Sequence, residues 1–256
     1  MIMGLEALTA MEYPGRFIIL GADRDALHTI VVYGITGRSP SSKARKMVHD
    51  KMGRKVSVVP TDEEILKTGN LDLLVYDAIL YEKGIAVSNG KQTNDAALFG
   101  AKSQPGKNAP ELLGSLAIGL NRWDYEPDAP THTPRITGVV NEIRYNFAFF
   151  NIIRRSVGRE ATNSRHYFQF PLIPGQGKLI TTYTGENRDP LPSFTGEPLD
   201  VVLPQMNAYQ LANDVYNALT PRNPTKDYRV AVAVVYSRFE CPPDVHIINR
   251  CDMGAK

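Results

Sequence analysis

The stretch WDYEPDAPTHTPRITG, residues 123–138, sets three carboxylates (Asp124, Glu126, Asp128), one histidine (His132) and one arginine (Arg135) on a segment with three prolines. Pro127, Pro130 and Pro134 each fix φ and remove a backbone donor, which excludes a helix. They also push the preceding residues toward extended conformations. On an extended chain residues i and i+2 face one side, so Glu126 and Asp128 can converge. Two carboxylates held together raise one pKa, and a carboxyl raised in this way suits proton transfer near neutral pH. The competing reading is a proline-rich surface loop with scattered charges.

Two further stretches carry chemistry. GRSPSSKAR, Gly37–Arg45, follows an apolar run and precedes a candidate helix. A helix start presents free N–H groups to an anion; Ser39, Ser41 and Ser42 can add donors, and Arg38 can bind an anion bidentately. The phosphate-loop pattern GxxxxGK[ST] is absent, so a serine-capped helix with a solvated basic face stays open. VSNGKQTND, Val87–Asp95, holds an Asn-Gly pair, the signal of a tight hairpin turn, from which Asn89, Gln92, Thr93 and Asp95 can face a pocket. Tyr76 lies in an apolar run and reads first as a core tyrosine, while Tyr183 and Glu186 fit a pocket rim or a strand end. The five histidines show no metal-ligand spacing, and no G-x-S-x-G elbow occurs.

These groups need elements to position them. RFIILG (16–21) and HTIVVYGI (28–35) read as a hairpin, with KVSVVP (55–60), LDLLVYDAIL (71–80) and GIAVSNG (84–90) as further strands. SSKARKMVHDKMG (41–53) reads as a short helix capped by Ser41 or Ser42 and ended by Gly53. PELLGSLAIGL (110–120) and PQMNAYQLANDVYNAL (204–219) are helices. Residues 135–155 form one long strand or two with a turn near Asn146. RHYFQF (165–170), KLITTYTG (178–185) and YRVAVAVVYSRF (228–239) complete the strands, and 186–200 is loop. Strands in runs with about three helices give an α+β class with mostly antiparallel sheets and a single domain over 1–256, its leader 1–12 and tail 241–256 peripheral.

Composition agrees. Of the 256 residues 43% are apolar and 22% charged, and the formal charge is +2, which argues against wholesale nucleic-acid binding. Seven Lys/Arg against one acid between Arg38 and Lys55 suit a phosphate better than a polynucleotide strand. Cys241 and Cys251 read as two reduced thiols rather than a disulfide framework. With no apolar run of 18 residues and no basic-then-apolar start, the reading is a soluble, cytoplasmic protein without a membrane partner.

YPGR (13–16), GRSPSS (37–42), VYDAIL (75–80), VSNGKQTND (87–95), YEPDAPTHTPRITG (125–138) and TTYTGE (181–186), in this order, resemble the archaeal-type inosine monophosphate (IMP) cyclohydrolases and their bacterial relatives. The resemblance implies a four-layer α-β-β-α sandwich similar to the N-terminal nucleophile hydrolases, and a homo-oligomer. The usual members of that superfold expose a nucleophile at a processed N-terminus, which Met1-Ile2-Met3 does not support. The implied reaction closes the ring of 5-formamidoimidazole-4-carboxamide ribonucleotide to IMP with loss of water, without a cofactor. By the same resemblance Arg38, with Ser39 and Ser42, lies near the phosphate or the developing oxyanion, and Tyr76 contacts the base or formyl group. Glu126 and Asp128 are the acid–base pair, and Arg135 orients one of them or binds the carboxamide oxygen. Asn89, Thr93 and Tyr183 bind the purine ribonucleotide. Extra length at 99–114 and 186–200 departs from the compact archaeal pattern. A non-catalytic purine-nucleotide sensor and an amide hydrolase of the same superfold remain the alternatives.

Overall fold

The structure, a computed structural model, describes residues 5–82, 84–101, 109–141, 147–158, 162–238 and 240–254. Its class is α+β, with two antiparallel sheets and few helices. One sheet runs β11 (Leu199–Val202), β10 (Gln176–Thr181), β1 (Arg16–Ala22), β2 (Thr29–Thr36), β12 (Arg229–Ser237), β13 (Asp244–Asn249). The other follows chain order: β3 (Arg45–Asp50), β4 (Lys55–Pro60), β5 (Tyr76–Tyr81), β6 (Ile85–Ser88), β7 (Arg135–Val140), β8 (Phe147–Arg155), β9 (Asn163–Pro171).

The period-2 alternation of a strand decides what each face meets. On β1, Ile18 and Leu20 enter a core shared with Met47, Tyr76, Ala78, Ile136 and Phe150 of the second sheet. Their neighbours Phe17 and Ile19 face the opposite way, onto Leu8 of α1 (Glu6–Ala10) and Leu211 and Val215 of α7 (Ala208–Ala218). The second sheet divides likewise: Ile136 and Phe150 go to the shared core, whereas Val139 and Phe149 pack on Leu112 and Leu116 of α6 (Ala109–Leu120). The leader thus contributes buried side chains, Leu5 and Leu8. Asn207 and Gln210 form a capping box that starts α7.

Several expectations change. LDLLVYDAIL is not one strand: after the short α3 (Glu63–Leu66), Asn70 caps a helical turn, α4 (Leu71–Leu74), and β5 begins at Tyr76. Residues 41–53 are not a helix. α2 (Pro40–Lys43) is a single turn, capped by Ser39 with Pro40 at its first position, and the chain then extends into β3. Arg45 and Met47 alternate inward with Lys46 and Val48 outward, so the helical spacing of the apolar residues is overridden by pairing with β4. Asn89-Gly90 does not close a hairpin: β6 passes through it into α5 (Thr93–Ala96), which continues as a π-helical turn over Ala97–Ala101. Residues 135–155 contain two paired strands, β7 and β8; the turn near Asn146 lies outside the described residues, as do 102–108 of the extra loop. The tail supplies an edge strand, β13. No helix among the described residues is long and apolar enough to cross a membrane. Cys241 and Cys251 are both exposed free thiols.

Candidate active site

At one end of the shared core, the starts of β1, β3, β5 and β7 and the end of β6 come together. Parity sets what they present. Arg16 shares the inward face of β1 with Ile18, Arg45 that of β3 with Met47, and Tyr76 that of β5 with Ala78. Gly15, at φ 75°, makes the bend into β1; a Cβ there would sit 2.1 Å from Thr182 Oγ1.

The loop between α6 and β7 hands Glu126 into this end. Arg165 donates to the carbonyls of Leu120 (2.9 Å), Asn121 (3.1 Å) and Trp123, which holds the loop's first residues to the end of α6. Trp123 Nε1 donates to Asp95 (2.6 Å) and its ring faces the Arg135 guanidinium at 5.0 Å. The Glu126 amide then donates to the Thr133 carbonyl (2.8 Å). The carboxylate, 2% exposed, forms an ion pair with Arg16 and accepts from Asn89 Nδ2 (3.2 Å). Burial pushes the Glu126 carboxyl above its ordinary range; Arg16 and Arg135 pull the other way without cancelling it.

Asp128, two residues on, does something else. Its carboxylate accepts from the Thr133 amide (2.7 Å) and the Thr133 hydroxyl, and its carbonyl accepts from Thr131 N (3.1 Å). It closes the turn over 128–133, in which His132 adopts φ 49°. The two carboxylates are thus held by different partners, although the Asp128 charge still acts on Glu126 and adds to its rise. Thr133 Oγ1 also meets the Tyr183 hydroxyl at 2.6 Å, and the Tyr183 ring stacks on Tyr13 at 5.8 Å.

Arg135 donates to Gln92 Oε1 (3.0 Å) and the Asp124 carbonyl (2.7 Å), so it ties the loop's base to the turn after β6. Gly90 is needed beneath that bond, because a Cβ would fall 2.5 Å from Arg135 Nη1. Asn89 is saturated: Nδ2 donates to Glu126 and the Pro134 carbonyl, and Oδ1 accepts from Ile136 N (2.8 Å) and Gln92 Nε2 (3.0 Å). Thr93 donates to the Gly90 carbonyl (2.8 Å) and meets Ser88 Oγ at 2.5 Å, so it too is occupied within the turn. The Tyr76 hydroxyl pairs with that of Tyr33 at 2.7 Å.

The junction 37–45 is arranged differently. Ser39 Oγ caps the Ser42 amide (3.1 Å), and Ser42 Oγ donates to the Ser39 carbonyl (2.9 Å). Arg38, part-exposed, stands over the Tyr13 ring at 5.4 Å and donates to Asn187 (3.0 Å) and Asp189 (2.8 Å) of the long loop. The structure thus gathers Tyr76, Glu126, Asn89 and Arg135 around the buried end, with Tyr183 and Arg38 on its Tyr13 side, while Ser39, Ser42, Thr93 and Asp128 serve local turns. Gln92, which the turn's sequence put forward, belongs to the same cluster, as do Arg16, Tyr33 and Arg45, which were not among the candidate residues. The signal for Arg16 and Arg45 is an arginine on the inward parity of an otherwise apolar strand. No group of three or more His, Cys, Asp or Glu placed to hold a metal occurs among the described residues.

A family model described as IMP cyclohydrolase-like protein matches residues 13–240, and the chain belongs to that family. A search of the curated proteins returned no match.

Proposed function

We propose that this member of the IMP cyclohydrolase-like family closes the pyrimidine ring of a formamidoimidazole carboxamide ribonucleotide to give IMP. The observation that carries the reading is the buried Glu126 carboxylate, raised by desolvation and held by Asn89 and by Arg16, on which the paired hydroxyls of Tyr33 and Tyr76 also act. Ring closure forms a bond from the carboxamide nitrogen to the formyl carbon, and water then departs from the resulting carbinolamine. Bond formation moves one proton from the carboxamide nitrogen to the formyl oxygen; loss of water then moves the proton of the former formamido nitrogen to the departing hydroxyl and leaves a C=N bond. A single carboxylate can take the proton and return it to the oxygen in each step, and a pKa moved toward neutrality favours both. Both reacting groups belong to one substrate, so holding them in near-attack geometry supplies much of the rate. No covalent intermediate is needed.

The hydroxyl of Tyr76 supplies a donor for the formyl oxygen, and Arg135 fixes the loop that aims Glu126. Asn89 positions Glu126, and Asp128 keeps its loop folded. The nucleotide lies with its base toward Glu126 and its phosphate toward the Tyr13–Arg38 side, along which Tyr183 packs. The shared core with α1 and α7 on one outer face and α5 and α6 on the other supports the four-layer sandwich similar to the N-terminal nucleophile hydrolases. The test is direct: the purified protein is given the formamido ribonucleotide and IMP formation is followed by ultraviolet absorbance. Turnover lost on Glu126→Gln supports the reading. Tight nucleotide binding without turnover by the wild-type protein overturns it in favour of a sensor.

A further inference from the structure

The buried end holds more positive charge than its carboxylate answers. Arg45 is 2% exposed, and its one hydrogen bond among those described runs from Nε to the Ser42 carbonyl (2.9 Å). Its Nη1 is buried without a partner, and so is Nε of Arg16. Buried N–H groups of this kind are rarely left unsatisfied, because each forfeits its hydration without replacement. Glu126 answers Arg16 by direct contact. The groups acting most strongly on the Arg45 charge are Tyr76, Arg16, Tyr33 and Tyr13, with no carboxylate among them. Burial raises Tyr33 and Tyr13, so both stay neutral phenols, and burial depresses Arg45 itself.

We infer that Arg45, with Arg16 beside it, is a buried seat for the phosphate of the bound nucleotide. This deepens the function proposed above and rests on it for the identity of the nucleotide, though not for the anion. Formamide, carboxamide and imidazole groups are neutral in the ground state, and none of them offsets a full buried charge. A phosphate brings one to two negative charges and several acceptor oxygens, which match open guanidinium donors. Arg45 and Arg38 both act on Tyr13, so the buried and the part-exposed guanidinium lie within electrostatic reach of one phenol. Arg38 is already paired with Asp189 and Asn187, whereas Nη1 of Arg45 is buried with no partner.

The experiment compares wild type, Arg45→Gln and Lys43→Gln, the last removing an exposed cation two residues away. Thermal melting is recorded with and without inorganic phosphate, and IMP and inosine affinities are measured by calorimetry. Phosphate is expected to raise the melting temperature of wild type and Lys43→Gln but not of Arg45→Gln. Ligand-free Arg45→Gln should melt at or above wild type, since an unanswered buried charge has been removed. Wild type should prefer IMP to inosine by at least about 100-fold and Arg45→Gln by at least tenfold less, with inosine binding retained, as expected for loss of a charge-assisted contact. Equal losses for IMP and inosine, or phosphate protection that survives in Arg45→Gln, would overturn the seat. If Arg45→Gln does not fold, the wild-type preference decides: equal affinity for IMP and inosine sinks it. Phosphate protection that depends on Arg45 in a protein that turns over no formamido ribonucleotide keeps the seat and removes the reaction.

Discussion

Two segments of similar length and similar promise meet opposite fates. The loop 123–135 carries its chemistry inward: Glu126 ends buried against Arg16, and Arg135 is locked under Trp123. The junction 37–45 turns its serines upon itself and leaves Arg38 at the rim, while the residue it buries is Arg45. The difference lies in what each segment is attached to. The loop is gripped at both ends, by Arg165 and Asp95 before Glu126 and by Asn89 and Gln92 after it. The junction is gripped by β3, whose register against β4 fixes Arg45 inward. Motif chemistry identifies both segments, but only the strand register and the anchoring contacts decide which side chain each one delivers.

The sharpest way to break this contrast is at Glu126. Glu126→Gln should cut cyclisation by about 10²–10⁴-fold with the fold intact. Glu126→Ala should also cost about 3–5 kcal/mol of stability in chemical denaturation, because Arg16 is left buried without its partner. Next comes Arg135. Arg135→Lys keeps the charge but loses the fork between Gln92 and the Asp124 carbonyl, at about 1.5–3 kcal/mol. A melting curve unchanged by that substitution would mean the loop needs no such clamp.

The pH dependence follows from burial. The folded Glu126 carboxyl titrates above its ordinary value of 4.5, so the folded chain binds the proton more tightly than the unfolded chain. Its contribution to stability is present in full below the unfolded pKa and is lost as pH rises through the folded one. Activity runs the other way, since the ionised form accepts the proton. The acid limb of the rate profile should therefore lie above the ordinary glutamate range and vanish in Glu126→Gln.

Smaller effects separate neighbours. Asp128→Asn weakens the turn over 128–133, with about 1 kcal/mol lost and turnover within tenfold of wild type. Ser39→Ala removes the cap of α2 at a cost of about 1 kcal/mol and leaves the KM for the nucleotide unchanged. A tenfold rise in that KM would return the serines to the phosphate.

Much of the scaffold is legible in the sequence. The apolar runs at β1, β2, β4 and β12 and the capped periodicity of α7 name themselves. β3 is not legible, because Ala44, Met47 and Val48 follow helical spacing while the inward strand positions are Arg45 and Met47, and nothing local records that β4 waits to pair with it. β13 is short and follows a cysteine and two prolines, which mask it. In the site, Glu126 and Arg135 stand out because a proline-rich loop has no core to hide them in. Arg16 reads as a charge at the start of a strand and Arg45 as part of a helix with a solvated basic face, and only the meeting of two sheets brings them to Tyr33 and Tyr76. Asp128 looks equivalent to Glu126 by spacing; its partner Thr133, five residues on, makes it a turn former.

The proposed division of labour gives one carboxylate of the loop the proton and its neighbour the fold. Single-turnover cyclisation of the formamido ribonucleotide by Glu126→Gln and Asp128→Asn, side by side, separates the two. Glu126→Gln should fall by at least about 100-fold and Asp128→Asn by less than about tenfold. Equal losses, or a larger loss at Asp128, would contradict it.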